Sequence, residues 1–99
     1  MDSMPKESVD LGAFGMAEFA RLCATHNLTT MRDAALRTYP LPGMVVYFIC
    51  LPDGVHVFNN SSHVHNSWPQ FAEIYPEEVC SMVARLETPC VVRFSGIDR

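Results

Sequence analysis

The sequence predicts a small α+β domain of element order ααββαβ, with a three-stranded, mostly antiparallel sheet and its helices packed on one face. Three observations predict it. An amphipathic stretch opens the chain after residue 10, and an unbroken β-branched and aromatic run covers Met44–Leu51. A turn and a second strand follow that run, and a further helix and strand close the chain, so helices and hairpin are segregated rather than alternating.

Residues 1–9 are expected to be a flexible tail, and residues 10–99 one domain. Asp10 is suited to cap a helix reaching about Thr25, whose apolar positions Leu11, Phe14, Phe19, Leu22 and Cys23 approximate one buried face. Gly12 and Gly15 weaken its first turns by up to about 1 kcal/mol each. His26 and Asn27 suit its C-terminal end. Thr30-x-x-Asp33 is a variant of the capping box and predicts a short second helix over Met31–Thr38. Pro40, Pro42 and Gly43 stop it. Met44–Leu51 is apolar on both faces and so predicts a central strand. Pro52-Asp53-Gly54 turns the chain into Val55–Phe58, completing a hairpin. Asn59–Ser67 reads as a polar loop. Ser67 is placed to cap a short helix containing Trp68, Phe71 and Ile74, with Pro69 in its first turn. Pro76-Glu77-Glu78 opens another helix with acids at its favourable end. Its apolar residues are Val79, Met82, Val83 and Leu86. Cys90–Phe94 forms the last strand.

Composition narrows function by exclusion. Ninety-nine residues at 48% hydrophobic build one core, not two. Seven basic against 11 acidic residues leave a net charge of −4, the wrong sign for direct nucleic-acid binding. The longest strongly apolar run, Met44–Leu51, falls well short of the roughly 20 residues a membrane helix needs. The polar stretch Met1–Asp10 lacks the apolar core of a secretory signal, which places the chain in the cytoplasm. There Cys23, Cys50, Cys80 and Cys90 are expected as free thiols, since each sits in an apolar segment. Six of the seven basic residues are arginine, which suits a GC-rich bacterial or phage genome.

Five chemistries are open to these residues. Cys23-x-x-His26 and His63-x-His65 together supply four zinc-type donors, but in no established finger spacing. A cysteine nucleophile needs a stabilised thiolate. Cys80 follows Glu77 and Glu78, which oppose one, and Cys50 and Cys90 read as structural. His56 with Asp53 or Glu73 offers acid–base chemistry, although alternation with Val55 and Val57 turns His56 toward solvent. Arg32 and Arg37 on the expected second helix suggest a helix-turn-helix, yet that helix is short and the charge unfavourable. An interaction surface remains. The Asn59–Trp68 segment combines amides, hydroxyls, two histidines and the sole tryptophan, while Tyr39, Tyr75 and Trp68 adjoin prolines. Glu73, Glu77, Glu78 and Glu87 supply acids suited to a basic partner.

The expectation is therefore a non-enzymatic, cofactor-free protein-binding domain, monomeric or homodimeric, with no membrane or nucleic-acid contact of its own. His63, His65, Trp68, Glu73, Glu77 and Glu78 are its expected contact residues. The partner is a larger protein or nucleoprotein complex with a basic surface. Small inhibitors of phages and mobile elements, of the anti-CRISPR or toxin-immunity kind, are the class that this profile fits. The alternative is a small metal- or ligand-binding domain using Cys23, His26, His63 and His65.

Overall fold

The computed structural model describes Val9, residues 11–60 and residues 62–98. The expected Asp10 cap and, apart from Val9, the expected tail lie outside the described residues. The chain runs through α1 (Ala13–Thr25), β1 (Met31–Leu36), β2 (Val45–Leu51), β3 (Gly54–Asn59), β4 (Ser62–Asn66), α2 (Trp68–Ile74), α3 (Glu77–Ala84) and β5 (Cys90–Gly96). The strands form one five-stranded sheet in the order β1-β5-β2-β3-β4. β1 runs parallel to β5, and every other pairing is antiparallel. The α+β class and the central place of β2 follow the sequence. The strand number, the element order and the one-sided helix packing do not.

Burial explains the layering. Val46, Phe48 and Cys50 of β2 join Val55, Val57, Val92 and Phe94 in a core closed by Phe71 of α2 and by Val79 and Val83 of α3. Tyr47, Ile49 and Leu51 point to the opposite face, where Phe19, Leu22 and Cys23 of α1 cover them with Phe58, Val91 and Val9. Successive strand side chains alternate between faces, so a strand apolar on both sides requires a helical layer on each. The result is three layers, with α1 on one face and α2–α3 on the other.

Residues 31–38 do not form the expected second helix, and with it the helix-turn-helix reading falls. Met31–Leu36 pairs in register with Met31 opposite Val91 and Leu36 opposite Gly96. Asp33 does not cap a helix; it accepts a hydrogen bond from Arg93 Nε at 2.8 Å across the pair. The Ala- and Leu-containing segment has a helical propensity of only tenths of a kcal/mol per residue, which sheet pairing overrides. The expected polar loop over Asn59–Ser67 is also corrected. Most of it is β4, which pairs His63 with Phe58 and His65 with His56.

Local chemistry sets the remaining boundaries. Gly12 is the N-cap of α1, His26 its C-cap, and Asn27 takes a positive φ of 57°. Gly54 has φ +148°, and a side chain there would collide with the Asn66 carbonyl, so the β2–β3 turn requires glycine. Ser67 and Gln70 form a reciprocal capping box on α2. No helix among the described residues is long and apolar enough to cross a membrane.

Phe48 is wholly buried and meets Tyr39, Phe71, Tyr75 and Phe94 at ring-centroid distances of 4.6–6.1 Å. Phe48→Ala is expected to lower unfolding free energy by about 3–5 kcal/mol. Phe14→Ala, at a position 71% exposed, is expected to cost less than about 0.5 kcal/mol. Urea titrations of both variants check this, and equal losses would contradict the layering.

Candidate functional site

The β1–β2 connection builds the most distinctive surface. Its prolines remove backbone donors and fix φ, so it joins the sheet only through an isolated bridge between Pro42 and Gly96. Tyr39 plugs it into the core, with ring centroids 6.1 Å from Phe48 and from Phe94 and 5.7 Å from Tyr75. The end of β5 holds its other side. Gly96 N–H donates to the Met44 carbonyl at 3.2 Å, and any side chain at Gly96 would strike the Pro40 and Leu41 carbonyl oxygens. Leu41, between two prolines, is left 68% exposed, and Met44 and Val45 are also exposed. A cleft of about 240 Å³, lined by Tyr39, Leu41, Met44 and Val46, opens between the connection and the sheet.

This apolar rim meets the acids of α3. Thr38 Oγ1 donates to Glu78 Oε1 at 2.6 Å, and the Tyr39–Tyr75 contact seats the connection against the α2–α3 junction. At that junction Ile74 is exposed, and so are Glu73, Glu77 and Glu78. The molecule thus presents apolar side chains and carboxylates around one end of the α2–α3 layer.

A second cluster lies on the α1 face. Registered pairing of β3 with β4 stacks His56 on His65 at a centroid distance of 4.0 Å and Phe58 on His63 at 4.2 Å. His56 Nδ1 and His63 Nε2 stand 2.8 Å apart, one donating and the other accepting. His56 is half-buried, not turned fully to solvent as its alternation with valines predicts. Burial first, then the neighbouring His65 and His63, hold its pKa down at about 4 against the opposing pull of Asp53 and Glu18. Burial also lowers that of His63, again opposed by Glu18. Glu18 hydrogen-bonds Arg21, which lowers its own pKa.

The expected contact residues are therefore divided. Glu73, Glu77 and Glu78 lie on the α2–α3 layer, whereas His63 and His65 lie across the sheet. Trp68 is half-buried, stacked edge-on against Phe71, and its Nε1–H donates to the carbonyls of Leu51 and Pro52 at 2.9 and 3.1 Å. The alternative metal set is not assembled. Cys23 is on the buried face of α1, His26 is the C-cap of that helix, and among the described residues no three His, Cys, Asp or Glu side chains come together to hold a metal ion. Glu73 is on the wrong layer to serve His56; Asp53 and Glu18 are the carboxylates that act on it. Sequence reasoning missed Leu41, Met44 and Val45 as surface residues. The signal was present in Pro40-Leu41-Pro42-Gly43, where an apolar side chain stands between residues that exclude helix and strand.

The depressed His56 pKa gives a signed expectation. The unfolded chain takes up the proton near pH 6.5, while the folded chain resists it until about pH 4. Stability is therefore complete above pH 6.5 and falls as pH drops toward 4. After discounting for solvent screening, the loss is about 1–2 kcal/mol. Urea unfolding of wild type and His56→Gln in chelator-treated buffer, from pH 7.5 to 4, should show a slope that the variant flattens. Identical slopes would refute the assignment to His56.

Compared with protein-family models, curated proteins and solved structures, the chain matches none.

Proposed function

We propose that this chain is a protein-binding domain whose contact face is the end of the α2–α3 layer: Leu41 and Met44 at its apolar centre, Ile74 at the α2–α3 junction, and Glu77 and Glu78 at its margin. The observation that carries the reading is the joining of the apolar β1–β2 connection to the acidic α3 start through Thr38–Glu78 and Tyr39–Tyr75. An exposed apolar patch rimmed by polar residues is the kind of surface that marks interaction sites, and a carboxylate margin favours a basic partner and speeds its capture. The net charge of −4 acts in the same direction. In its sharper form the proposal makes the chain an inhibitor of the anti-CRISPR or immunity kind, covering a basic site on a nucleic-acid-handling complex. Size, charge and the acidic margin support that form. His63, His65 and Trp68, part of the sequence expectation, are not part of this face.

Immobilised wild-type and variant chains, compared for partner retention from host lysate at two salt concentrations, test the proposal. Leu41→Glu should weaken retention at least tenfold, a change of about 1.4 kcal/mol or more. Glu77→Lys with Glu78→Lys should weaken it more at low salt than at high salt. His65→Ala should leave it unchanged. Equal retention by all variants, or no retained partner, would overturn the assignment of the face, and concentration-dependent self-association lost in Leu41→Glu would make the partner a second copy.

A further inference from the structure

Cys50 and Cys90 read as structural in the sequence, but the sheet places them directly opposite each other across the β2–β5 pair. Facing residues of an antiparallel pair have Cα atoms about 4.5–5.5 Å apart, inside the span a disulfide bridges. Both thiols are free and belong to the same buried cluster. Each thiol bears on the ionisation of the other. The two are unequal. Cys50 is wholly buried inside the sheet. Cys90 begins its strand and lines a cleft of about 260 Å³ together with Thr29, Thr30, Arg32 and Pro89. The neighbouring Cys50 thiol and then the Arg32 charge favour the Cys90 thiolate against the effect of burial, whereas Cys50 is pushed well above the ordinary thiol range. Cys80 lacks such support, since burial and Glu77 both raise its pKa.

We propose that Cys90 and Cys50 form a thiol–disulfide exchange site, with Cys90 attacking, Cys50 resolving, and a small anionic disulfide of the glutathione class as co-substrate at the Arg32 cleft. The Cys90 thiolate attacks one sulfur of that disulfide, its S–S bond breaks, and the departing thiolate takes up the proton that Cys90 released. The mixed disulfide on Cys90 is then attacked by Cys50, which gives up its own proton. A Cys50–Cys90 bond forms and the second small thiol leaves. Two electrons and two protons pass from the protein dithiol to the small disulfide, which becomes two thiols. The reverse sequence restores the dithiol. The cleft's polar side chains suit an anionic reactant, and the resolving thiol needs no strand to move past another because its partner is already in register.

Oxidised glutathione added to the folded protein, followed by acid quench, intact mass and peptide mapping, tests this. The expected product has lost two hydrogens and links the Cys50 and Cys90 peptides. Cys50→Ser should instead accumulate a persistent glutathione adduct on Cys90, and Cys90→Ser should form neither product. Arg32→Gln removes both the charge that favours the Cys90 thiolate and the attraction for an anion, so it should slow the reaction with oxidised glutathione roughly three- to tenfold more than that with uncharged hydroxyethyl disulfide. The wild-type mapping stands alone if a core variant fails to fold. Cys90 left free in folded protein while it reacts in urea, or a link involving Cys23 or Cys80, overturns the proposal. Equal slowing by Arg32→Gln for both disulfides overturns the anionic co-substrate.

Discussion

Everything in this fold depends on covering both faces of one strand. β2 alternates Val46, Phe48 and Cys50 with Tyr47, Ile49 and Leu51, and all six are buried. Apolar burial is worth about 25 cal/mol per Å², so leaving either face wet would forfeit much of the stabilisation available to so short a chain. A 99-residue chain has few residues with which to build two covering layers. It does so with a single 13-residue helix on one side and two helices of seven and eight residues on the other. The economy of that cover leaves a margin. Tyr39 and Tyr75 complete the α2–α3 side where the short helices end, and the chain that carries Tyr39 inward carries Leu41 outward. The exposed apolar rim is thus a by-product of closing the core at that corner.

What the residues declared in advance follows from how local each signal is. The capping box of Ser67 and Gln70, the Pro52-Asp53-Gly54 turn and the acidic opening of α3 need only near neighbours, and each was legible. β1 was not, because nothing within Met31–Leu36 announces a strand. Its pairing partner lies 60 residues away, with Asp33 opposite Arg93. β4 was hidden by composition: Ser62, His63, His65 and Asn66 are poor strand formers, and only pairing with β3 orders them. The double-sided helix packing was implicit in the reading of β2 as apolar on both faces. A central strand of that kind excludes helices on one face alone.

The proposed contact face was half legible for the same reason. The helical, exposed placement of Glu73, Glu77 and Glu78 was legible because charge on a helix is a local property. The histidines were grouped with them because proximity in sequence stands in poorly for proximity in space: a strand and a layer of the sheet separate the two sets. The Cys50–Cys90 pair was missed outright. Forty residues separate them, and their opposition exists only in the β2–β5 register.

The sheet edges bear on how the proposed partner would engage. An exposed edge presents unpaired backbone groups to any strand that approaches, and folded proteins blunt such edges with charge and polarity. β1 carries exposed Arg32 and Asp33, the latter tied to Arg93 on the adjacent strand. β4 carries exposed Ser62 and His65, with a hydrogen bond from Ser62 Oγ to Asn59 Oδ1 closing its turn. Both are also short, at six and five residues. Strand addition at either edge would bring polar or ionisable side chains against a newcomer with little apolar gain, Val64 being the one large apolar residue exposed on β4. The end of the α2–α3 layer offers the opposite balance, with apolar side chains already in water and a cleft between them. Under the proposed reading, recognition by side chains at that end, not by backbone at the edges, is the mode this distribution of polarity favours.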